Sequence, residues 1–263
     1  MISPLSNIHP DARLGKNVQV DAFSTIQGDV VIGEGTWIGP NVSIFDGARI
    51  GKNCKIFPGA VISAVPQDLK YQGENTTAEL GDNCTIREMV TINKGTLALG
   101  KTVVGNNCLL MAYVHIAHDC IIGDNVILAN SVNLAGHVTI EDWAILEGYV
   151  GVSQFIRIGA HSFIGGQTGV RKNVPPYTKA AREPLSFMGV NSVGLKRRGF
   201  DSVVIHQIQD IYRLLYTKGY STRNAIDIIE KEIPDSTIKE QIIEFIRTSD
   251  KGIMRGYSSG DGD

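Results

Sequence analysis

An aliphatic residue returns at every sixth position through the first two thirds of this chain. The series starts at Ile2 and runs through Ile8, Leu14, Val20, Ile26, Ile32, Ile38, Ile44, Ile50, Ile56 and Ile62. It resumes at Leu80 and continues to Ile164 and Val170. Of the 29 positions so defined, 26 are Ile, Leu or Val, and the exceptions are Asp68, Glu74 and Ala98. Neither a helix, with period 3.6, nor a simple strand, with period 2, keeps a six-residue step over this length. The residue after the aliphatic is often glycine, as at Gly15, Gly33, Gly51, Gly105 and Gly123. Glycine there fits a turn that needs positive φ or close backbone approach. The fourth residue after the aliphatic is small or β-branched, as at Val18, Ser24, Thr36, Val42 and Val126. This pattern predicts a parallel β-helix in which three hexapeptides make one triangular coil of 18 residues, with coils stacked at about 4.8 Å.

Composition agrees with tight winding and excludes several function classes. The 263 residues include 29 glycines and only 7% aromatics. A formal net charge of −2 gives no global argument for binding nucleic acid or a membrane surface. No apolar run is long enough to span a bilayer, and the start MISPLSNIHP lacks the basic and apolar regions of a signal peptide. The expectation is a cytoplasmic protein with no transmembrane segment. Cys54, Cys84, Cys108 and Cys120 all fall on the fourth, inward position, where a free thiol acts as a small hydrophobe. With no CxxC pair, neither disulfides nor a cysteine metal site is expected, which agrees with a reducing compartment.

The breaks in the period mark the expected organisation. Asp68 and Glu74 lie in a polar insert, residues 66–77, and Ala98 in a smaller break, Lys94–Thr102. Loops ejected from a rigid scaffold are where function concentrates. The period stops at Pro175–Pro176, so the β-helix is assigned to residues 1–175 and a connector to 176–190. A helical domain is expected over 191–250. Its first long helix carries the stripe Val204, Ile208, Ile211 and Leu215, with Ser202 as N-cap. A second helix runs from Ser221 to Pro234, and a third begins at Asp235 or Ser236 with Ile238, Ile242, Phe245 and Ile246 on one face. Residues 251–263 read as a flexible tail. The helices are expected to cap the open end of the solenoid or to pack beside it. The flat flanks of a bare β-helix favour self-association.

The stretch MAYVHIAHDC, residues 111–120, places His115, His118 and Asp119 within five positions in a chain with six histidines. With 18 residues per coil, residue n stacks on n+18. That rule puts His118 beside Gly136 and then Gln154, and Asp119 beside His137. An imidazole accepts a proton at neutral pH, and a carboxylate beside it orients the ring and stabilises the imidazolium. Gly136 leaves room for a reacting carbonyl, and its N–H is placed for a developing oxyanion. Cys120 points inward and no serine in the patch has an evident nucleophilic role. The patch therefore favours direct attack by a substrate hydroxyl. His161 and His206 read as incidental. An alternative is a zinc site of the three-histidine type, formed by His115, His118 and His137 as in some hexapeptide carbonic anhydrases, although their ligand spacing is not reproduced here.

The hexapeptide solenoid, the insert QDLKYQGE, the HIAHDC segment, the AGH at Ala135–His137 and the GLKRRGF segment after the solenoid occur in this order. In that combination the chain resembles the UDP-N-acetylglucosamine O-acyltransferases of lipid A biosynthesis, over nearly its whole length. The resemblance implies a mainly β fold, a left-handed parallel β-helix with an α-helical C-terminal domain, assembled as a homotrimer with active sites between subunits. It implies transfer of an (R)-3-hydroxyacyl group from acyl carrier protein to the 3-hydroxyl of UDP-N-acetylglucosamine. The donor rides on the carrier's phosphopantetheine, and no other cofactor and no metal is implied. His118 would be the general base, Asp119 its support and Gly136 the oxyanion donor. Asp68, Lys70, His115, His137, Gln154, Asn191, Arg197 and Arg198 would contact substrate. Gly166 falls where the family sets acyl-chain length and, as glycine, leaves room for a long chain. Lys and Arg suit the phosphates of a sugar nucleotide, and the Lys196–Arg198 cluster suits an acidic carrier protein. The chain departs from the family at Ser153, where many relatives carry His, and at Val193, where some carry an acidic residue. A runner-up in the same chemistry is N-acylation of a related amino sugar nucleotide.

Overall fold

The computed structural model describes residues 1–256. The hexapeptides form a three-sided, left-handed solenoid of parallel strands, most of them two residues long. The first face stacks the strands that run from Asn7–Ile8 to Gly169–Val170. The second runs from Arg13–Leu14 to Arg157–Ile158, and the third begins at Gln19–Val20. In the regular coils, successive strands within each face pair at n and n+18, as in His115 with Asn133 and Asn133 with Gly151. From Val20 onward each periodic aliphatic is buried. Ile38, Ile62, Ile86, Ile116 and Ile164 are fully buried in one continuous core. Branched aliphatics favour this pleated, packed environment.

The turns obey a rule that the sequence states only in part. The position after the aliphatic needs glycine for close approach, not for positive φ: a Cβ on Gly33 would lie 2.5 Å from the carbonyl carbon of Gly51 in the next coil. Positive φ falls two residues later, at Asn17, Asn41, Asn53, Asn83, Asn107 and Asn125 and also at Asp119 and His137. Asn and Asp tolerate this conformation better than most residues. The fourth position turns its side chain inward, and polar atoms there bond a carbonyl of the next coil. Ser24 Oγ donates to Gly39 O at 2.6 Å, and Cys84 Sγ to Gly105 O at 3.0 Å. The four cysteines are thus free, buried and used as small inward side chains.

Two coils are longer than the rest, and both insertions leave from one corner, between the first and second faces. Val61 pairs with Thr91 and Thr91 with His115, thirty and twenty-four residues apart. The segments ejected are those between Ala64 and Thr77 and between Asn93 and Lys101. His118, Gly136 and Gln154 turn at that same corner.

Residues 176–190, expected as a connector, instead extend the third face. Thr178–Ala181 joins in parallel to Phe163–Ile164, and Ser186–Val190 folds back antiparallel. The expected tail is partly structured: Arg255–Gly256 adds a further strand and Met254 is buried, because this edge offers unpaired backbone groups. Positions 257–263 of that expected tail lie outside the described residues.

Four helices follow the solenoid: α1 (Ser192–Arg197), α2 (Ser202–Tyr216), α3 (Thr222–Glu232) and α4 (Thr237–Arg247). Asp201, not Ser202, caps α2. It is extended, at φ −62° and ψ 148°, and its carboxylate accepts from Val203 N. Ser221 and Ser236 cap α3 and α4. On α2, Ile205, Ile208, Ile211, Tyr212 and Leu215 are buried, while Val204 lies half-buried at the edge. The helices pack onto the C-terminal end of the solenoid. Tyr212 Oη donates to Pro176 O at 2.6 Å, and the Arg157 guanidinium lies over the Phe245 ring. No helix among the described residues is long and apolar enough to cross a membrane.

Candidate active site

The first insertion and three turns converge on a cleft of about 630 Å³, lined by Gln67–Lys70, Ala117, His118, Ala135–His137, Gln154 and Phe155. His118 is 5% exposed and Asp119 2%, so neither is an incidental surface side chain. His118 Nδ1 lies 2.8 Å from Asp119 Oδ2, which leaves Nε2 toward the cleft, where Asp68 Oδ2 stands 3.9 Å away.

Asp119 is held from the second insertion. Thr96 donates its N–H to Oδ1 at 3.0 Å and its hydroxyl to Oδ2 at 2.7 Å, and Leu99 N–H donates to Oδ1 at 3.2 Å. Its own N–H is taken by Thr102 Oγ1 at 2.9 Å. Burial alone would raise the pKa of this carboxyl. The Thr96 hydroxyl, His118, the Thr96 N–H and the charge of nearby His137 outweigh burial and hold it below the ordinary carboxylate value. An ionised carboxylate accepting at Nδ1 fixes the tautomer of His118 with Nδ1 protonated and Nε2 free to accept.

Gly136 sits where the 18-residue map puts it. A Cβ there would lie 2.5 Å from His118 Cε1 and 2.7 Å from Nε2, so any side chain would displace the imidazole. At some of the equivalent turn positions, the N–H is satisfied by a side chain of a neighbouring coil. Asn106 N donates to Asp124 Oδ1, Asp124 N to Asp142 Oδ1, and Gly166 N to Glu147 Oε2. Among the described residues, no acceptor takes the N–H of Gly136. His137 stacks on Phe155 with ring centroids 4.6 Å apart and stands edge-on to His118, its Nε2 3.8 Å from Asp119 Oδ2.

Other residues expected at the site are distributed over the molecule. Asp68, Lys70 and Gln154 line the cleft. His115 does not. It lies on the first face with Nδ1 2.7 Å from Thr91 Oγ1, and burial lowers its pKa. The set His115, His118 and His137 is therefore not assembled for an ion. The group close enough to share one is His118, Asp119 and His137, and both Asp119 oxygens already accept hydrogen bonds. Asn191, Arg197 and Arg198 lie at or beside the corner between the second and third faces: Asn191 Nδ2 and Arg198 Nη1 both reach His161 there. Gly166 turns at the remaining corner, its N–H taken by Glu147, and a Cβ there would lie 3.1 Å from Gly148 O. Cys120 is no nucleophile: burial pushes its thiol up to about 12 and Sγ donates inward to Ala135 O. Sequence reasoning missed Thr96, which lies in a break in the period one coil before Asp119. It also missed Phe155, which the n+18 rule places beside His137.

The family model for UDP-N-acetylglucosamine O-acyltransferase domain 2 matches residues 173–254, and that for the bacterial transferase hexapeptide matches 11–46, 29–64 and 101–136. An acyl-[acyl-carrier-protein]–UDP-N-acetylglucosamine O-acyltransferase from Thermodesulfovibrio yellowstonii is 45% identical over 94% of this chain and 96% of its own length. The chain belongs to the UDP-N-acetylglucosamine O-acyltransferase family. An Aquifex aeolicus member is 54% identical over 75% of this chain and 76% of its own. Among solved structures, the UDP-N-acetylglucosamine acyltransferase of Bacteroides fragilis superimposes with a TM-score of 0.95 at 48% identity, covering 97% of this chain and all of that one. The Francisella novicida enzyme does so with a TM-score of 0.95 at 42% identity, covering all of this chain and 97% of that one.

Proposed function

We propose that this protein transfers an (R)-3-hydroxyacyl chain from acyl carrier protein to the 3-hydroxyl of UDP-N-acetylglucosamine, the first step of lipid A biosynthesis, in the cytoplasm. The observation that carries the reading is the His118–Asp119 pair, hydrogen-bonded at 2.8 Å and turned into a cleft beside an unspent N–H, in a chain of this family. His118 Nε2 takes the proton of the sugar hydroxyl as its oxygen attacks the thioester carbonyl. Asp119 stabilises the imidazolium, and the Gly136 N–H receives the oxyanion. Collapse breaks the C–S bond, and the imidazolium returns the proton to the departing phosphopantetheine thiolate. No cofactor beyond that carrier arm is needed, because every proton has a donor and an acceptor within the site.

Asp68, Lys70, His137 and Gln154 line the cleft and are assigned to the acceptor and the acyl group. His115 is assigned a supporting contact from the first face. Asn191, Arg197 and Arg198 sit at a different corner of the same subunit, so they join this cleft only if another subunit presents them. That separation supports a homotrimer with sites between subunits. So does a column of exposed apolar side chains at the third corner, Phe23, Met89, Tyr113 and Tyr149, beside which Gly166 would set the acyl length.

The test is mass-spectrometric detection of acylated UDP-N-acetylglucosamine from purified protein and a mixed pool of 3-hydroxyacyl carrier proteins. The expected product carries one ester-linked 3-hydroxyacyl chain. Product made only from the free-amine sugar nucleotide overturns the reading.

A further inference from the structure

The corner between the second and third faces carries a column of rings that the chemistry above does not use. Trp143, His161 and Tyr177 stack nearly parallel along the solenoid axis. The interplanar angles are 4° and 14°, and Phe200 stands edge-on to His161 at 5.0 Å. His161 makes two further contacts. Its carbonyl accepts from Asn191 Nδ2 at 2.9 Å, and its Nδ1 lies 3.2 Å from Arg198 Nη1. The same guanidinium lies over the Trp143 ring, 5.3 Å from its centroid. Among the described residues, no carboxylate pairs with Arg198.

We propose that His161 is a positioning residue that presents Arg198, with Asn191 beside it, as an uncompensated cation to the diphosphate of the acceptor nucleotide. The proposal rests on the reading above, in which those two residues contact the sugar nucleotide.

An arginine always carries its proton, so the donor in this contact is the guanidinium and the imidazole must accept. Burial, and then the charge of Arg198, push the His161 pKa down to about 4, so the ring is neutral wherever His118 works as a base. A carboxylate at this position would hold the arginine equally well but would cancel its charge. A neutral imidazole takes one N–H and leaves both the charge and the other donors for an anion. The stack fixes the ring: Trp143 and Tyr177 cover its faces and Phe200 its edge. Because Asn191 also caps α1, the carbonyl of His161 ties the start of the helix that carries Arg197 to the solenoid turn.

The test compares steady-state kinetics of the full-length wild type with His161→Phe, His161→Gln and Arg198→Ala, alongside thermal melts. Phe keeps a flat ring in the stack and removes the acceptor. Its KM for UDP-N-acetylglucosamine should rise about tenfold with kcat within about twofold. Gln restores an acceptor and should recover most of the loss. Arg198→Ala should raise KM at least as much, and the double variant His161→Phe/Arg198→Ala should be no worse than Arg198→Ala alone. An unchanged KM in His161→Phe beside a raised KM in Arg198→Ala overturns the positioning role. So does a His161→Phe defect that Gln does not relieve and that tracks a lowered Tm. An unchanged KM in Arg198→Ala instead overturns the reading of Arg198 as a substrate contact.

Discussion

At the scale of single residues, the cleft is built around one ionised carboxylate. Replacing His118 with Ala should lower turnover by about 10²–10⁴-fold, the usual worth of a general base, with the melting temperature little changed. Near wild-type turnover would refute the base assignment. Gly136→Ala should also be strongly impaired, because the added methyl overlaps the His118 ring. Asp119 links the site to stability. Its folded pKa is depressed, so its contribution is complete above the unfolded value of about 3.9 and is lost as pH falls through the folded value. Thr96→Val removes one hydrogen bond to that carboxylate, worth about 1 kcal/mol, and raises its folded pKa. The acid loss of Tm, which begins near the unfolded value in both proteins, should then be smaller and end at a higher pH than in the wild type. Overlapping curves of Tm against pH between 3 and 7 would show that Thr96 does not hold the charge.

At the scale of elements, the hexapeptide turn and the two insertions divide the work. The turn demands glycine where coils touch. Gly51→Ala puts a methyl 2.5 Å from the carbonyl of Gly81, and overpacking of this kind costs about 1–3 kcal/mol, readable in a denaturant melt. The coil that carries the second insertion is one hexapeptide longer than a plain coil. Deleting six residues from it restores the 18-residue register, so the solenoid should still fold. The Thr96 and Leu99 donors would be gone, and turnover should fall well below wild type. A deletion variant with full activity would show that the insertion is decoration.

At the scale of the molecule, the proposed substrate residues occupy different corners of one solenoid. Catalysis by a lone subunit would leave Asn191, Arg197 and Arg198 away from His118. Light scattering should therefore give three times the mass of the chain. A sharper check is subunit mixing. His118→Ala and Arg198→Ala subunits, each nearly inactive at low acceptor concentration, should regain about a quarter of wild-type activity when refolded together at equal ratio, if each site takes one residue from each of two subunits. No recovery on mixing would place both residues in one subunit's site.

The period by itself determined the solenoid, the inward cysteines and the pairing of His118 with Gly136 and Gln154. A strict six-residue repeat has one way to bury its aliphatics, and n+18 adjacency follows from closing the coil. Helix starts at Ser221 and Ser236 were also legible, since each hydroxyl caps through its own local backbone. Only the tertiary structure decided what the breaks in the period do. Both insertions leave from the corner that holds His118, and an ejected loop carries no periodic signal for where it lands. For the same reason the sequence carries no signal for Thr96 as the anchor of Asp119, or for the contacts of Arg198 and Asn191 with His161. Thr178–Ala181, Ser186–Val190 and Arg255–Gly256 form strands because the last coil leaves an edge to pair, a property of the finished stack and not of those segments.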